Sequence, residues 1–277
     1  ACRSFFSCLV VPPTSEAEMA LAADLLSCRG LNVGIAGRSF CRDLFLRVRP
    51  GECLAILGRN GAGKSTLLSV LAGLRAPLAG EVLIDGSSYA KLGPRASARL
   101  RGWLPQNRNE AFSSTVLETA LVGRHPHLAR WDWESEGDVG IASRALIAVG
   151  LGELAQRDVQ TLSGGELQRL AIATLLTQAP RLYLLDEPLA HLDLNHQIAV
   201  LDLFAGAAAD CGAGVIMVLH EPGLADRYCE RALLVYGDGR CELGSCRELL
   251  TADRLGELYG HPLQEVEADG RRWFIPA

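Results

Sequence analysis

The run Gly58-Arg59-Asn60-Gly61-Ala62-Gly63-Lys64-Ser65-Thr66 constrains this chain more than any other stretch. It fits G-x-x-x-x-G-K-[ST], the spacing of a loop that cradles phosphates. Such a loop joins a strand to a helix, which points to an α/β core. The flanks agree: Cys53-Leu54-Ala55-Ile56-Leu57 is a short apolar run that predicts a buried strand, and Thr66-Leu67-Leu68 opens a helix. Glycines let backbone N–H groups turn toward phosphate oxygens without Cβ clashes. The following helix adds the positive end of its dipole. Lys64 is expected to place a point charge on the β- and γ-phosphates, and the Ser65 hydroxyl to ligate Mg²⁺. A glycine-rich turn beside a surface lysine would match the same letters. The strand before and the helix after favour a nucleoside triphosphate with Mg²⁺.

Composition bounds the rest. The chain has 277 residues, 49% hydrophobic and 21% charged, which suits a globular protein with a substantial core. Its net charge of −5 gives no basic excess for nucleic acid or anionic lipid. No uninterrupted apolar stretch reaches the ~18–20 residues that span a bilayer. A single arginine flanks the apolar patch near Leu9-Val10-Val11, which argues against a secretory signal. The 9 cysteines include no C-x-x-C pair, so they read as reduced, small hydrophobes rather than zinc or redox ligands. Met19 is the first methionine, and residues 1–18 are expected to be a disordered extension outside the folded domain.

Two further motifs follow in order. Leu162-Ser163-Gly164-Gly165-Glu166 precedes an apolar helical pattern, with Ser163 as N-cap and Glu166 at the capping-box spacing. Leu182-Tyr183-Leu184-Leu185-Asp186-Glu187-Pro188 is a buried strand ending in two carboxylates. Ligands of a doubly wound sheet bind at that end. A carboxylate there is costly to bury unless it meets a cation. Asp186 is expected to meet Mg²⁺, and Glu187 to polarise an attacking water.

With these motifs in place the chain resembles an ATP-binding cassette ATPase, the nucleotide-binding subunit of ABC transporters, over roughly residues 28 to 250. Gly58 to Thr66 resemble the Walker A loop, Leu162 to Glu166 the signature, and Leu182 to Asp186 Walker B with Glu187 as the catalytic glutamate. Ala190-His191-Leu192-Asp193 is similar to the D-loop, with Ala190 and His191 where the family often has Ser and Ala. Gln106 matches the Q-loop glutamine, and His220, after the apolar run Val215 to Leu219, the switch histidine. The resemblance implies a RecA-like P-loop NTPase core with an antiparallel β subdomain and an inserted helical subdomain at about 107–162. The cassette would run over 19–250, with residues 251–277 as a short tail. It assigns Lys64, Gln106, Glu187 and His220 to catalysis, and Ser65, Gln106 and Asp186 to the metal.

The resemblance further implies that Ser163, Gly164 and Gly165 close over ATP held by the Lys64 of a second copy, so the working form is a head-to-tail homodimer. An aromatic residue usually stacks on adenine upstream of Walker A. Here Ile35 falls at that position, which weakens the grip on the base, and Phe40 is the lesser candidate. The text of Phe112-Ser113-Ser114-Thr115-Val116-Leu117-Glu118, Gly123-Arg124-His125-Pro126-His127 and His191 to Gln197 resembles the group serving cobalamin, haem and iron-siderophore uptake. The implied partners are two integral membrane permease subunits and, indirectly, a periplasmic or extracellular substrate-binding protein, with the cassette on the cytoplasmic face of the inner membrane. The rival class is a soluble cassette ATPase of the iron–sulfur assembly type. The pair His125 and His127 reads as polar neighbours of a helix-ending proline rather than as metal ligands.

Overall fold

The computed structural model describes residues 24–106 and 113–277, so the expected extension over residues 1–18 lies outside the described residues. Two strands, β1 (Leu26–Ile35) and β2 (Arg38–Val48), open the chain as an antiparallel pair, followed by the short β3 (Cys53–Leu57). Helix α1 (Lys64–Leu71) leaves the glycine loop directly. Strands β4 (Ala79–Ile84) and β5 (Ser87–Ser88) complete an antiparallel sheet in the order β2-β1-β4-β5. Helix α2 (Tyr89–Leu100), broken at Gly93 before Pro94, leads into β6 (Arg101–Leu104). Then come three helices, α3 (Val116–Leu121), α4 (Glu136–Ala148) and α5 (Gly164–Gln178). The alternation resumes with β7 (Leu182–Leu185), α6 (Leu194–Cys211), β8 (Gly214–Val218), α7 (Pro222–Tyr228), β9 (Arg231–Val235) and β10 (Cys241–Ser245).

The central sheet runs β10-β9-β3-β8-β7-β6, and every pairing except β10 with β9 is parallel. Its inner strands read as unbroken apolar runs because both faces are covered. Successive side chains of one strand feed different cores. Cys53, Ala55 and Leu57 join the core under the helices, whereas Leu54 and Ile56 join the core under the antiparallel sheet and α1. Tyr183 and Leu185 of β7 divide from Leu182 and Leu184 in the same way. On the helical side the Tyr183 ring meets Phe204 of α6 edge-on, with centroids 5.3 Å apart.

The helices after Gln106 lean on α5, which carries the Ser163 to Glu166 motif at its start. Thr115 caps α3 and Ser135 caps α4, each with a reciprocal capping box. His127 hydrogen-bonds the Gln178 carbonyl at 2.9 Å, and the Pro126 carbonyl accepts from Arg95 and Arg99, so this stretch serves packing. The segment after residue 250 is structured and packs on the rest of the chain. After α8 (Cys246–Leu249) it forms α9 (Ala252–Tyr259), then the hairpin β11 (Leu263–Ala268) and β12 (Arg271–Pro276). Arg272 of β12 pairs with Asp226 of α7 and donates to the Leu250 carbonyl at 3.0 Å, tying the hairpin to the core. Cys28, Cys53 and Cys246 are free thiols, and burial raises each to about 12. Among the described residues no helix is long and apolar enough to cross a membrane.

Candidate functional site

The parallel strands end together. Register pairs Ile56 with Val218, Leu185 with Met217 and Leu104 with Leu185, so the residues that follow β3, β8, β7 and β6 share one edge of the sheet. Four predicted segments emerge there: Gly58 to Thr66, His220, Asp186-Glu187 and Gln106. Brought together by strand order, they occupy the carboxyl end where α/β sheets bind ligands.

The glycine loop is shaped by its surroundings. A Cβ on Gly58 would lie 2.3 Å from the Val235 carbonyl oxygen, so only glycine lets the loop pass the end of β9. Gly61 and Gly63 sit at φ 76° and 95°, the left-handed region open to glycine. Lys64, 5% exposed, begins α1 and folds back over the loop. Its Nζ donates to the Gly58 carbonyl at 2.7 Å and to the Arg59 carbonyl at 3.0 Å. The next residue, Ser65, donates its hydroxyl to Asp186 Oδ1 at 3.0 Å, joining the loop to the tip of β7.

Glu187 sits at φ 51°, an unusual backbone for a non-glycine residue, and its side chain meets His220. Glu187 Oε1 and His220 Nε2 are 2.9 Å apart. Behind the pair lies a cavity of about 160 Å³ lined by Leu189, Ala190, Gln197 and Leu219 among others. Gln106 is exposed two residues beyond β6, within the same edge, and Asp186 N donates to the Leu104 carbonyl at 2.9 Å.

The electrostatics of this edge are unbalanced in a way that tests the expected ligand. Burial lowers the Lys64 ammonium pKa, because desolvation outweighs the nearby Glu187 and Asp186. Burial raises the Asp186 carboxyl, partly offset by the Ser65 hydroxyl. One buried cation and one buried carboxylate are thus each held without a full counter-charge. A phosphate chain against Lys64 and a divalent cation between Ser65 and Asp186 would relieve both. The residues present therefore fit a triphosphate with Mg²⁺.

The Ser163 motif lies apart. Ser163 Oγ accepts from Glu166 N at 3.3 Å, and Glu166 Oε2 accepts from Ser163 N at 2.7 Å. Donation to the carboxylate from Ser163 N, and then from the Ser163 hydroxyl, holds the Glu166 carboxyl below its ordinary range. Among the described residues no hydrogen bond or ion pair links Ser163, Gly164, Gly165 or Glu166 to Gly58 to Thr66. The start of α5 instead approaches the loop after Glu187: a Cβ on Gly165 would lie 3.0 Å from the His191 carbonyl oxygen. Gln168 also donates to the Pro188 carbonyl at 2.9 Å. The exposed N-terminus of α5 is capped internally and turned toward solvent.

Ile35, the residue aligned with the base, ends β1 and is 40% exposed. The ring that reaches the phosphate loop is that of Phe40: a Cβ on Gly63 would lie 2.3 Å from its Cγ. Sequence reasoning ranked Phe40 second. The signal that favours it is its even spacing in β2 from the buried Leu44, Leu46 and Val48, the period of one strand face.

A family model described as ABC transporter matches residues 41–190, just over half of the chain. The chain belongs to the ABC transporter family. Among its ABC relatives, the hemin import ATP-binding protein of Burkholderia pseudomallei is 38% identical over 261 residues, covering 88% of this chain and 96% of that protein. The cobalamin import ATP-binding protein of Halobacterium salinarum is 39% identical over 231 residues. That match takes in 83% of this chain and 57% of the relative, so the chain spans little more than half of that protein's length. A solved inward-facing ABC transporter described as of metal-chelate type superposes with a TM-score of 0.79 at 29% identity, covering 92% of this chain and 98% of that one. The ABC fold therefore accounts for the parallel core, the antiparallel sheet beside it and the helices leaning on α5.

Proposed function

We propose that this chain is the ATP-hydrolysing subunit of a membrane importer. The observation that carries the reading is the convergence of Lys64, Ser65–Asp186 and the Glu187–His220 pair at one sheet edge, the groups one subunit contributes to phosphoryl transfer to water. The loop N–H groups and Lys64 hold the phosphates of the substrate, and Ser65 and Asp186 would hold Mg²⁺, with Gln106, just beyond β6, as a further ligand. When bound, Mg²⁺ supplies charge neutralisation at the β- and γ-phosphates. His220 fixes the Glu187 carboxylate through their contact, and the carboxylate accepts a proton from the attacking water. The backbone strain at Glu187 is the cost of aiming that side chain back across the site.

Ser163, Gly164 and Gly165 have no role within their own subunit's site. Their exposed helix N-terminus suits an anion presented by another copy, so the working unit is a head-to-tail dimer with two shared sites. Two membrane permease subunits dock on the helices around α3 to α5, with Gln106 relaying nucleotide state to them, on the cytoplasmic face of the membrane. A substrate-binding protein delivers cargo on the opposite side. The relatives' names favour a haem, cobalamin or related metal-chelate cargo.

The test is Glu187→Gln, which keeps the shape of the side chain but removes its basicity. With ATP and Mg²⁺ it should bind nucleotide, fail to turn over, and run as a dimer on size exclusion. A monomer at saturating ATP, or turnover equal to the unsubstituted protein, would overturn the assignment. Co-purified permease subunits in vesicles, assayed with labelled haem and labelled cobalamin, then decide the cargo.

A further inference from the structure

Position 35 offers no π-face to a nucleotide base, and the chain holds another planar group beside the loop. The Arg38 guanidinium lies over the Phe40 ring, its Cζ 5.2 Å from the ring centroid. Phe40 is 8% exposed and packed on Gly63, so its ring is covered from both sides. Arg38 itself is exposed and makes no ion pair among the described residues. Its Nη2 donates to the Gly237 carbonyl at 3.5 Å, just beyond β9. A Cβ on Gly237 would lie 3.1 Å from Ala62 Cα, which places this anchor against the phosphate loop as well. Arg38, Phe40, Ala62, Gly63 and Gly237 thus form one surface, with the exposed Arg38 guanidinium outermost.

We propose that Arg38, backed by Phe40 and steadied by the Gly237 carbonyl, is the platform on which the base of the bound nucleotide stacks. The proposal rests on the reading of the site as an ATP site and names its base-holding residue. A guanidinium is planar, weakly hydrated and stacks on aromatic faces, so it substitutes for an aromatic side chain. The Phe40 ring holds the plane from behind, which reduces the freedom lost when the base arrives. Stacking responds to π surface more than to base edges. ATP and GTP should therefore bind alike, and the smaller pyrimidine base of CTP more weakly.

The test is calorimetric titration of the full chain with Mg²⁺ and four ligands: ATP, GTP, CTP and inorganic tripolyphosphate. Arg38→Ala is expected to lower ATP affinity by roughly tenfold or more while tripolyphosphate affinity stays within about twofold. Arg38→Lys, which keeps the charge and loses the plane, should resemble Arg38→Ala for ATP. Equal losses for ATP and tripolyphosphate, full ATP affinity in Arg38→Lys, or no loss in Arg38→Ala would each overturn the platform. If neither ATP nor tripolyphosphate bound the unsubstituted chain, the nucleotide reading itself would fall, and the platform with it.

Discussion

Asp138 is a buried carboxylate whose worth can be worked out from its contacts. Its Oδ2 accepts from the Ser135 hydroxyl at 2.6 Å and from Ser135 N at 3.0 Å, closing the cap of α4. Its Oδ1 accepts from Arg124 Nε at 2.7 Å, and the same guanidinium donates to the Thr177 carbonyl at 3.1 Å at the end of α5. One carboxylate therefore locks α4 and the turn after α3 onto the end of α5, the helix that carries the Ser163 motif. The Ser135 hydroxyl, then the Ser135 N–H and the Arg124 charge hold the carboxyl at about 2, against an ordinary 3.8. At about 1.4 kcal/mol per pH unit, that gap contributes about 2 kcal/mol of stability at neutral pH. The sign follows from the depressed value: the contribution is present above the unfolded carboxyl's 3.8 and is lost as pH falls toward about 2. Asp138→Asn should thus unfold in urea with a deficit of about 2 kcal/mol at pH 7, shrinking to about half by pH 3. Fluorescence-monitored urea curves at stepped pH give both numbers. A deficit that stays constant from pH 7 to 3, or no deficit at pH 7, would refute the account.

Three further outcomes test the nucleotide site. Lys64→Ala removes the buried ammonium, and a lost charge-assisted contact of about 1.5–3 kcal/mol should cut ATP affinity by at least about tenfold; an unchanged titration would sink the phosphate assignment. Gly58→Ala drives a methyl toward the Val235 carbonyl, with a stability loss of about 1–3 kcal/mol read as a lower Tm, and an unaltered melt would show that the loop does not pass β9 closely. Ile35→Tyr adds a π-face beside Arg38 and should tighten ATP, but not tripolyphosphate, by several-fold; equal ATP affinity would mean that position 35 does not reach the base.

Which parts of this molecule were legible beforehand follows from where their physics resides. Strands β3, β7 and β8 were readable as apolar runs because each is buried on both faces, so no alternation blurs them. The capping box at Ser163 and Glu166 was readable because its bonds span three residues of one segment. The hairpin β11–β12 was not, since its strands are mostly exposed and its anchor is Arg272 on Asp226, a pairing 46 residues apart. The lock between Arg124, Asp138 and Thr177 was invisible for the same reason, because it joins three helices that only packing brings together.

The candidate site divides along the same line. Its phosphate end is a local motif, and Lys64 with Ser65 could be named from spacing alone. Asp186 and Glu187 followed from the tip of one strand. What spacing could not supply was the contact between Glu187 and His220, whose 2.9 Å approach depends on β7 and β8 being neighbours in register. The base end is more remote still. It is assembled from β2, the loop after β9 and the start of α1, and the residue aligned by spacing, Ile35, has no π-face to offer a base. An apolar residue at that position is tolerable only if another planar group lies within reach. The placement of Arg38 over Phe40 meets that requirement without any change in the phosphate loop. Base recognition and phosphate recognition in this chain are therefore separable, and substitutions at Arg38 and Lys64 should act on different parts of the same ligand.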